Sequence, residues 1–465
     1  MADQIRKQIR KLKLYKAPGP DSIPNIVLTK CVDLLTDRLL NIYIAMFERT
    51  LLYKPWKTFI TVVLRKPGKP KYDIPKAYWP IALLNMMWKV LMAVVADQLT
   101  FTMEKHQLLP ANHFRGRPRH MTTDAMHLLA NMIKAAWRAK KVMLALFLDI
   151  EGAFPNAVPS HLEHNLRMRQ VPSKIVKFIR KMLRGRVTAL KFNGYMSEPI
   201  QIDNGIGQGD PLSMGMYQYY NTDLIDIPRE PGESAMAYVD DSIMIAIANS
   251  FPEAHEKLLS MMTRAGGVVE WLSLHKSLLK YSKLALVDFA HRQSPKRRSP
   301  LHLLQITTQP TKSTRYLGVI FDQHLNWKEQ HAHAEGNGTK WAMQIRRLAK
   351  PTWGLTPGNA RRLYISIAIP QILYAINVWS VPPYTNGKRQ TGTVKISGNS
   401  DHTKSRCSGN HRRPTYLPNG RSGRHSISHT GTAIGGQSVP QSSDMPSNAP
   451  RGTPAAQNSQ QQDNR

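Results

Sequence analysis

Two short stretches constrain this chain of 465 residues more than any other feature. The run from Val142 to Leu148 is continuously apolar, of strand length, and ends directly in Asp149. Downstream, Ala237-Tyr238-Val239-Asp240-Asp241 is followed by Ile243, Met244 and Ile245, which reads as strand, tight turn and strand with both acids at the tip. Carboxylates delivered by buried strands repel one another and are costly unless cations neutralise them. A hard divalent ion takes oxygen ligands, and two such ions about 4 Å apart need bridging carboxylates. Asp149 and Asp240 suit that task, with Asp241 as an outer ligand. An Asp-Asp pair standing alone is ordinarily a polar turn, so its neighbours have to decide.

Charge narrows the partners. Lys and Arg number 64 against 31 Asp and Glu, a formal +33, which suits a polyanion. Charge alone fits a ribosomal or chromatin protein equally well. The two cysteines, Cys31 and Cys407, exclude a disulfide framework and any Cys₄ or Cys₂His₂ zinc site. No apolar run reaches the roughly 18 residues of a membrane span, and the first residues are too charged for a secretory leader.

Elsewhere, Ile5, Ile9 and Leu12 mark a short basic helix stopping before Ala17, and a helical stretch follows from Val27 to Leu52. Phe59 to Leu64 reads as a strand entering the turn at Lys66-Pro67-Gly68-Lys69. Thr122 or Thr123 is expected to cap a helix with Ala125, Leu129, Met132 and Ala136 on one face. Ile175, Ile179 and Met182 mark another, with Lys174, Lys177, Lys181 and Arg184 outside. Strand patterns from Val187 to Phe192 and Ile200 to Ile202 lead to a glycine-rich turn. From Lys340 to Trp379 the pattern is again helical, with Ile345, Leu348, Leu363 and Ile367 expected to pack, and Lys340, Arg346 and Arg347 outside to meet phosphates. His331 and His333 are expected to be exposed, without a ligand role. Residues 385–465 are Ser, Gly, Thr, Gln, Asn, Pro and Arg with single hydrophobes, a composition expected to be disordered.

The motifs come in order: Lys16-Ala-Pro-Gly-Pro-Asp21, Lys66-Pro-Gly-Lys69 with Tyr78-Trp-Pro-Ile-Ala-Leu83, Arg117-Pro118 with Thr122-Thr-Asp124-Ala, Phe147-Leu-Asp149-Ile-Glu-Gly-Ala-Phe154, Gly207-Gln-Gly-Asp-Pro-Leu-Ser213, Tyr238-Val-Asp-Asp241, Tyr281-Ser-Lys283-Leu and Arg315-Tyr-Leu-Gly318. Together they resemble the reverse transcriptases of non-LTR (LINE-type) retrotransposons, particularly the fungal kind, from about Lys16 to Tyr384. The resemblance implies an α+β, right-hand polymerase fold. Residues 1–141 would form the fingers, 142–310 the palm, 311–384 the primer grip and thumb, and 385–465 the basic tail. It implies an RNA-directed DNA polymerase in which Asp149, Asp240 and Asp241 hold two Mg²⁺ ions, with Mn²⁺ able to substitute. Lys283 would protonate pyrophosphate, and Phe154 would be the steric gate against a ribose 2′-OH. Gly207, Gln208 and Gly209 would contact template or nucleotide, and Lys69 would reach the triphosphate. The implied partners are an RNA template, a DNA primer and dNTPs, without a membrane. No endonuclease, RNase H-like carboxylate set or zinc knuckle is visible, so target nicking is expected to come from elsewhere. Nuclear action is implied by the resemblance alone, the cluster Lys296-Arg297-Arg298 being equally suited to phosphate.

Several positions depart from the family. Trp79 stands where it has an arginine, and Arg115, Arg119, His120 and Met121 stand where Gly, Gly, Arg and Thr are expected. Ser22 replaces a glycine, Met214 a proline of some relatives, and Lys276 and Lys280 an Asn and a Glu. Many of these are single-transition changes, which with the tail suggests a decaying copy whose frame shifts near residue 390. Two rival readings follow: a catalytically impaired nucleic-acid-binding remnant, and an intron-maturase-like RNA-binding protein.

Overall fold

A computed structural model describes residues 1–291, 299–303, 306–349, 353–380, 384–385 and 388–389. Ile5 and Ile9, one turn apart, are wholly buried on α1 (Ala2–Arg10). The expected helical stretch is two helices, α2 (Asn25–Lys30) and α3 (Val32–Glu48), parted at Cys31. Between α1 and α2, Gly19 lies against the Leu84–Asn85 backbone, where a Cβ would stand 2.6 Å from main-chain atoms. The Asn85 side chain accepts the Asp21 N–H at 3.1 Å. This contact fixes the Lys16–Asp21 turn to the junction between β2 (Tyr78–Leu83) and α4 (Met86–Lys105), with β1 (Thr58–Arg65) antiparallel to β2.

The helix expected after Thr122 is α5 (Thr122–Arg138), with Ala125, Leu129 and Ala136 buried as the spacing predicts. Its cap differs from expectation. Met121 is the N-cap residue, and the Asp124 carboxylate accepts the Met121 N–H at 2.6 Å. The threonines therefore lie inside the first turn, and the acid three residues beyond the cap satisfies the free donor.

β3 (Val142–Glu151) is buried from Val142 through Leu148. Leu144, Leu146 and Leu148 enter one core cluster, while Met143, Ala145 and Phe147 enter the other. A strand covered on both faces needs no polar alternation, which is why its sequence is a continuous apolar run. α6 (Pro159–Met168) and α7 (Ser173–Leu183) follow, with Lys174, Lys177, Lys181 and Arg184 exposed as expected. The chain then returns as β4 (Arg186–Phe192), β5 (Tyr195–Met196) and β6 (Ile200–Ile202) to the first sheet, ordered β2-β1-β4-β5 with β6 on β4. Because β4 pairs in parallel with β1, sheet membership crosses the 141/142 boundary expected from the linear order.

α8 (Ser213–Tyr220) and α9 (Thr222–Ile225) precede the hairpin of β7 (Glu233–Tyr238) and β8 (Asp241–Ala248). After α10 (Phe251–Thr263) and α11 (Val268–Leu274), β9 (Leu278–Leu279) pairs with the end of β3, and β10 (Ala285–Phe289) pairs with its middle. A small pair, β11 (Leu301–Leu303) and β12 (Ile306–Thr308), precedes β13 (Pro310–Thr311). The central sheet is ordered β13-β10-β3-β8-β7, so β3 is flanked by β8 and β10.

A second hairpin, β14 (Ser313–Tyr316) and β15 (Val319–Asp322), turns at Leu317-Gly318 with φ 47° and 95°, and the Tyr374 hydroxyl donates to the Leu317 carbonyl at 3.1 Å. α12 (Lys328–Leu348) begins well before Lys340, because Gly336 and Gly338 are helical. His331 and His333 are half-buried on it, His331 edge-on to Trp379 at 4.9 Å. α13 (Pro357–Leu363) follows. Leu348 and Ile367 are not packed as expected: they are 46% and 40% exposed, and Ala368, Ile372, Val378 and Trp379 are buried instead. Among the described residues no helix is long and apolar enough to cross a membrane. Tyr384–Thr385 and Lys388–Arg389 pair as two short strands. The rest of the tail expected to be disordered, and Lys296-Arg297-Arg298, lie outside the described residues.

Candidate active site

The central register brings the acids together. Asp149 stands directly opposite Asp241 across the β3–β8 pair, and Tyr238 pairs with Asp241 across the β7–β8 hairpin. Only Val239 and Asp240 form the turn. Val239 has φ 66°, a left-handed conformation that a β-branched residue adopts at a cost. Partial desolvation in the cleft and the charges of Asp240 and Asp149 push the Asp241 carboxyl up to about 6. Asp240 is raised in the same way, by burial and then by Asp149, against the lowering pull of Arg115 and Lys283.

Cations answer this acidity from two sides. Because β9 pairs with Ile150 and Glu151, the Lys280 N–H donates to the Asp149 carbonyl at 2.9 Å, and the Lys283 ammonium bonds the Asp149 carboxylate. Lys66 is lowered by desolvation and by the nearby charges of Lys69, Lys280 and Lys283, so four lysines from two loops lie near one another, with Lys283 among them reaching the acids. The Arg115 guanidinium lies 5.6 Å from the centre of the Tyr238 ring. Of these cations, sequence reasoning singles out Lys69 and Lys283 and misses Lys66, Lys280 and Arg115 as site groups. Lys280 and Arg115 stand out in the sequence only as departures from the family, and their convergence comes from tertiary register.

Asp149, Asp241 and Lys283 open into a cavity of about 170 Å³ lined on its far side by Thr314, Arg315, Tyr316 and Leu317 of the β14–β15 hairpin. Phe154 stacks on Tyr217 with ring centres 4.7 Å apart. Tyr217 is wholly buried, its hydroxyl finds no partner among the described residues, and burial with the charge of Asp240 raises its pKa.

The glycine-rich loop sits at the edge of the first sheet. The Ala82 N–H donates to the Gln208 carbonyl at 2.9 Å, and Gly209 adopts φ 111°, where a Cβ would stand 2.9 Å from the Ala82 carbonyl. Above Gly207 the space is open. Behind the loop, burial pushes Asp210 up to about 6 against the pull of Arg186 and Lys89, and Lys89 also feels Asp21. Lys340, Arg346 and Arg347 are exposed along α12, whose main packing partners are β15 and the helical segment that follows α13. Trp79 is 46% exposed on β2, opposite Leu64.

Three carboxylates on one turn and the strand beside it, each an oxygen donor and two of them destabilised as anions, suit a hard divalent cation. Among the described residues no three His, Cys, Asp or Glu side chains already stand as a closed cage, and Asp149 is turned to Lys283. The fit is therefore one of donor chemistry and charge.

Comparison with known proteins gives the family. The chain matches the reverse transcriptase (RNA-dependent DNA polymerase) family over residues 64–321, more than half its length, and belongs to that family. It is 24% identical over 395 residues to a probable RNA-directed DNA polymerase from transposon BS of Drosophila melanogaster, covering 83% of this chain and 43% of the relative. A probable RNA-directed DNA polymerase from transposon X-element of the same organism is 25% identical over 403 residues, covering 83% and 42%. The RNA-directed DNA polymerase from mobile element jockey, again from Drosophila melanogaster, is 24% identical over 391 residues, covering 82% and 41%. The chain thus spans about two fifths of the length of the curated relatives it matches. These relatives bear out the resemblance to retrotransposon reverse transcriptases.

Proposed function

We propose that this chain is an RNA-directed DNA polymerase, extending a primer 3′-OH with dNTPs on an RNA template. The observation that carries this reading is the Asp149–Asp241 register pair, which opens into one cavity, with Asp240 on the adjoining two-residue turn. In this reading the first sheet belongs to the fingers, the central sheet to the palm, the β14–β15 hairpin is the primer grip and α12 with α13 the thumb. The place of action we propose is the nucleus, where the DNA to be extended lies.

Asp149, Asp240 and Asp241 would hold two Mg²⁺ ions, or Mn²⁺ in their place. Bound there, the ions neutralise the triphosphate and lower the pKa of the primer hydroxyl. The protein's own groups do the rest. Lys66, Lys69 and Lys280 attract the triphosphate, and Lys283, once released from Asp149, presents a proton to the departing pyrophosphate. Phe154, held in place by its stack on Tyr217, occupies the space a ribose 2′-OH would need. Gly207 leaves room for a base or sugar to approach the loop, and Gln208 is held there through its carbonyl. Lys340, Arg346 and Arg347 hold the template–primer duplex through its phosphates.

A second reading, an impaired nucleic-acid-binding remnant, is favoured by specific observations. Ser22, Arg119 and Lys276, three of the departures from the family, have φ 55°, 64° and 46°. Glycine or asparagine suits such positions, and this chain has replaced it with residues that strain there. Primer extension on an RNA template with each set of dNTPs or rNTPs tests the first reading. Incorporation of dNTPs alone supports it, and Trp79→Arg should raise the rate. Salt-sensitive duplex binding without incorporation by either protein would favour the remnant.

A further inference from the structure

The turn that carries Asp240 adopts a conformation its own residues disfavour, so something outside it must hold it. The segment from Asn112 to Phe114 runs along β7, at the edge of the central sheet. The Ala237 N–H donates to the Asn112 carbonyl at 3.1 Å, and the Phe114 N–H donates to the Ala237 carbonyl at 3.0 Å. This added rung directs His113 inward, where it is wholly buried. Its Nε2 lies 2.9 Å from Oδ1 of Asn221, the wholly buried residue that ends α8. An amide oxygen only accepts, so His113 carries its proton on Nε2. The other half of the same amide, Asn221 Nδ2, donates to the Val239 carbonyl. That carbonyl belongs to the peptide plane joining Val239 to Asp240, and its direction sets where Asp240 begins. The segment is anchored in turn by Arg117, which donates to the His113 carbonyl at 3.2 Å and pairs with Glu104 of α4 at 2.8 Å.

We propose that His113 and Asn221 form a positioning pair that clamps the Val239–Asp240 peptide and so aims the carboxylates. The amide of Asn221 is the working element, because it bonds both sides, and His113 fixes which way the amide faces. No other side chain among the described residues bonds the Val239 carbonyl. The inference rests on reading Asp240 and Asp241 as the catalytic acids.

Asn221→Leu removes both bonds while keeping the branched four-atom skeleton of the side chain, and His113→Gln keeps an N–H donor for Asn221. Hydrogen exchange of the full-length protein is read in peptides covering residues 235–242 and, as internal reference, 142–148. In Asn221→Leu the turn peptides should exchange about tenfold faster, the effect of one lost buried hydrogen bond, while the reference stays unchanged. The kcat for primer extension should fall by a similar factor with KM for dNTP within about twofold. His113→Gln should stay close to the wild type in both readouts. Unchanged exchange at the turn in Asn221→Leu, or a uniform rise through both regions, overturns the proposal. Should Asn221→Leu fail to fold, His113→Leu, which releases Asn221 without deleting its bond to Val239, is judged by the same exchange criterion. Exchange needs no turnover. A wild-type protein that extends no primer therefore removes the polymerase reading, while the exchange rates still decide whether the pair holds the turn.

Discussion

Asp149 and Asp241 face each other across two largely buried strands, next to a turn that adds Asp240, so the molecule places like charges together at the end of its central sheet. The arrangement works against stability. The Asp241 carboxyl stands at about 6, above its ordinary value near 3.8, so the folded state holds a proton that the unfolded state has released between those pH values. Stability is therefore lost as pH rises from about 4 to 6.

Asp241→Asn should accordingly raise Tm at pH 7.5. The gain is about 1 kcal/mol once screening of an exposed carboxylate is allowed for. Thermal melts at pH 4 and 7.5 check this, with the two proteins converging at the lower pH. Adding Mg²⁺ or Mn²⁺ should stabilise the wild type and not the variant.

Ser22→Gly, Arg119→Gly and Lys276→Gly should each stabilise the fold by about 1 kcal/mol, by relieving a left-handed backbone. The triple variant should be near the sum, since the sites belong to separate segments. Gly336 behaves in the opposite way. It lies in the middle of α12 with open space where a Cβ would go, so Gly336→Ala should stabilise by roughly 1 kcal/mol. Denaturant unfolding of the five variants reads all of these.

Arg115→Gly should tighten divalent-ion binding. Arg115 faces Tyr238 and offsets the charge of Asp240 and Asp241, a resident cation competing with any ion the acids take up. Titration of Mn²⁺ followed by electron paramagnetic resonance should give a Kd about threefold to tenfold lower than that of the wild type.

Gly209→Ala should destabilise by more than about 1 kcal/mol and depress extension, because a Cβ there meets the Ala82 carbonyl at 2.9 Å and φ is 111°. Gly207→Ala meets no atom within 4 Å, so its effect should appear in nucleotide KM and leave Tm unchanged.

What the sequence disclosed and what it hid follow physical lines. The strand before Asp149 and the hairpin around Asp240 are legible because a strand buried on both faces must be continuously apolar and its acids interrupt it abruptly. The start of α12 is not, because Gly336 and Gly338 read as a loop and yet lie within the helix. Leu348 and Ile367 match a helical period and yet face outward, since periodicity marks a face without saying that anything covers it. His113 and Asn221 are separated by 108 residues and meet only because a loop adds itself to β7. Lys280, set beside Asp149 by the pairing of β9 with β3, likewise meets Lys66, which follows β1 of the other sheet. The left-handed positions lie between these cases. Ser22, Arg119 and Lys276 stand out against the family's glycines and asparagine, and the backbone angles give the reason.

The central claim is that these three acids make a template-copying site. The most direct test is single-turnover extension of a labelled primer on an RNA template in Mg²⁺ and in Mn²⁺, comparing wild type with Asp149→Asn and Asp240→Asn. A two-metal site predicts dNTP-dependent extension by the wild type and its loss in both variants, with salt-sensitive duplex binding retained. Extension that survives either substitution would contradict it.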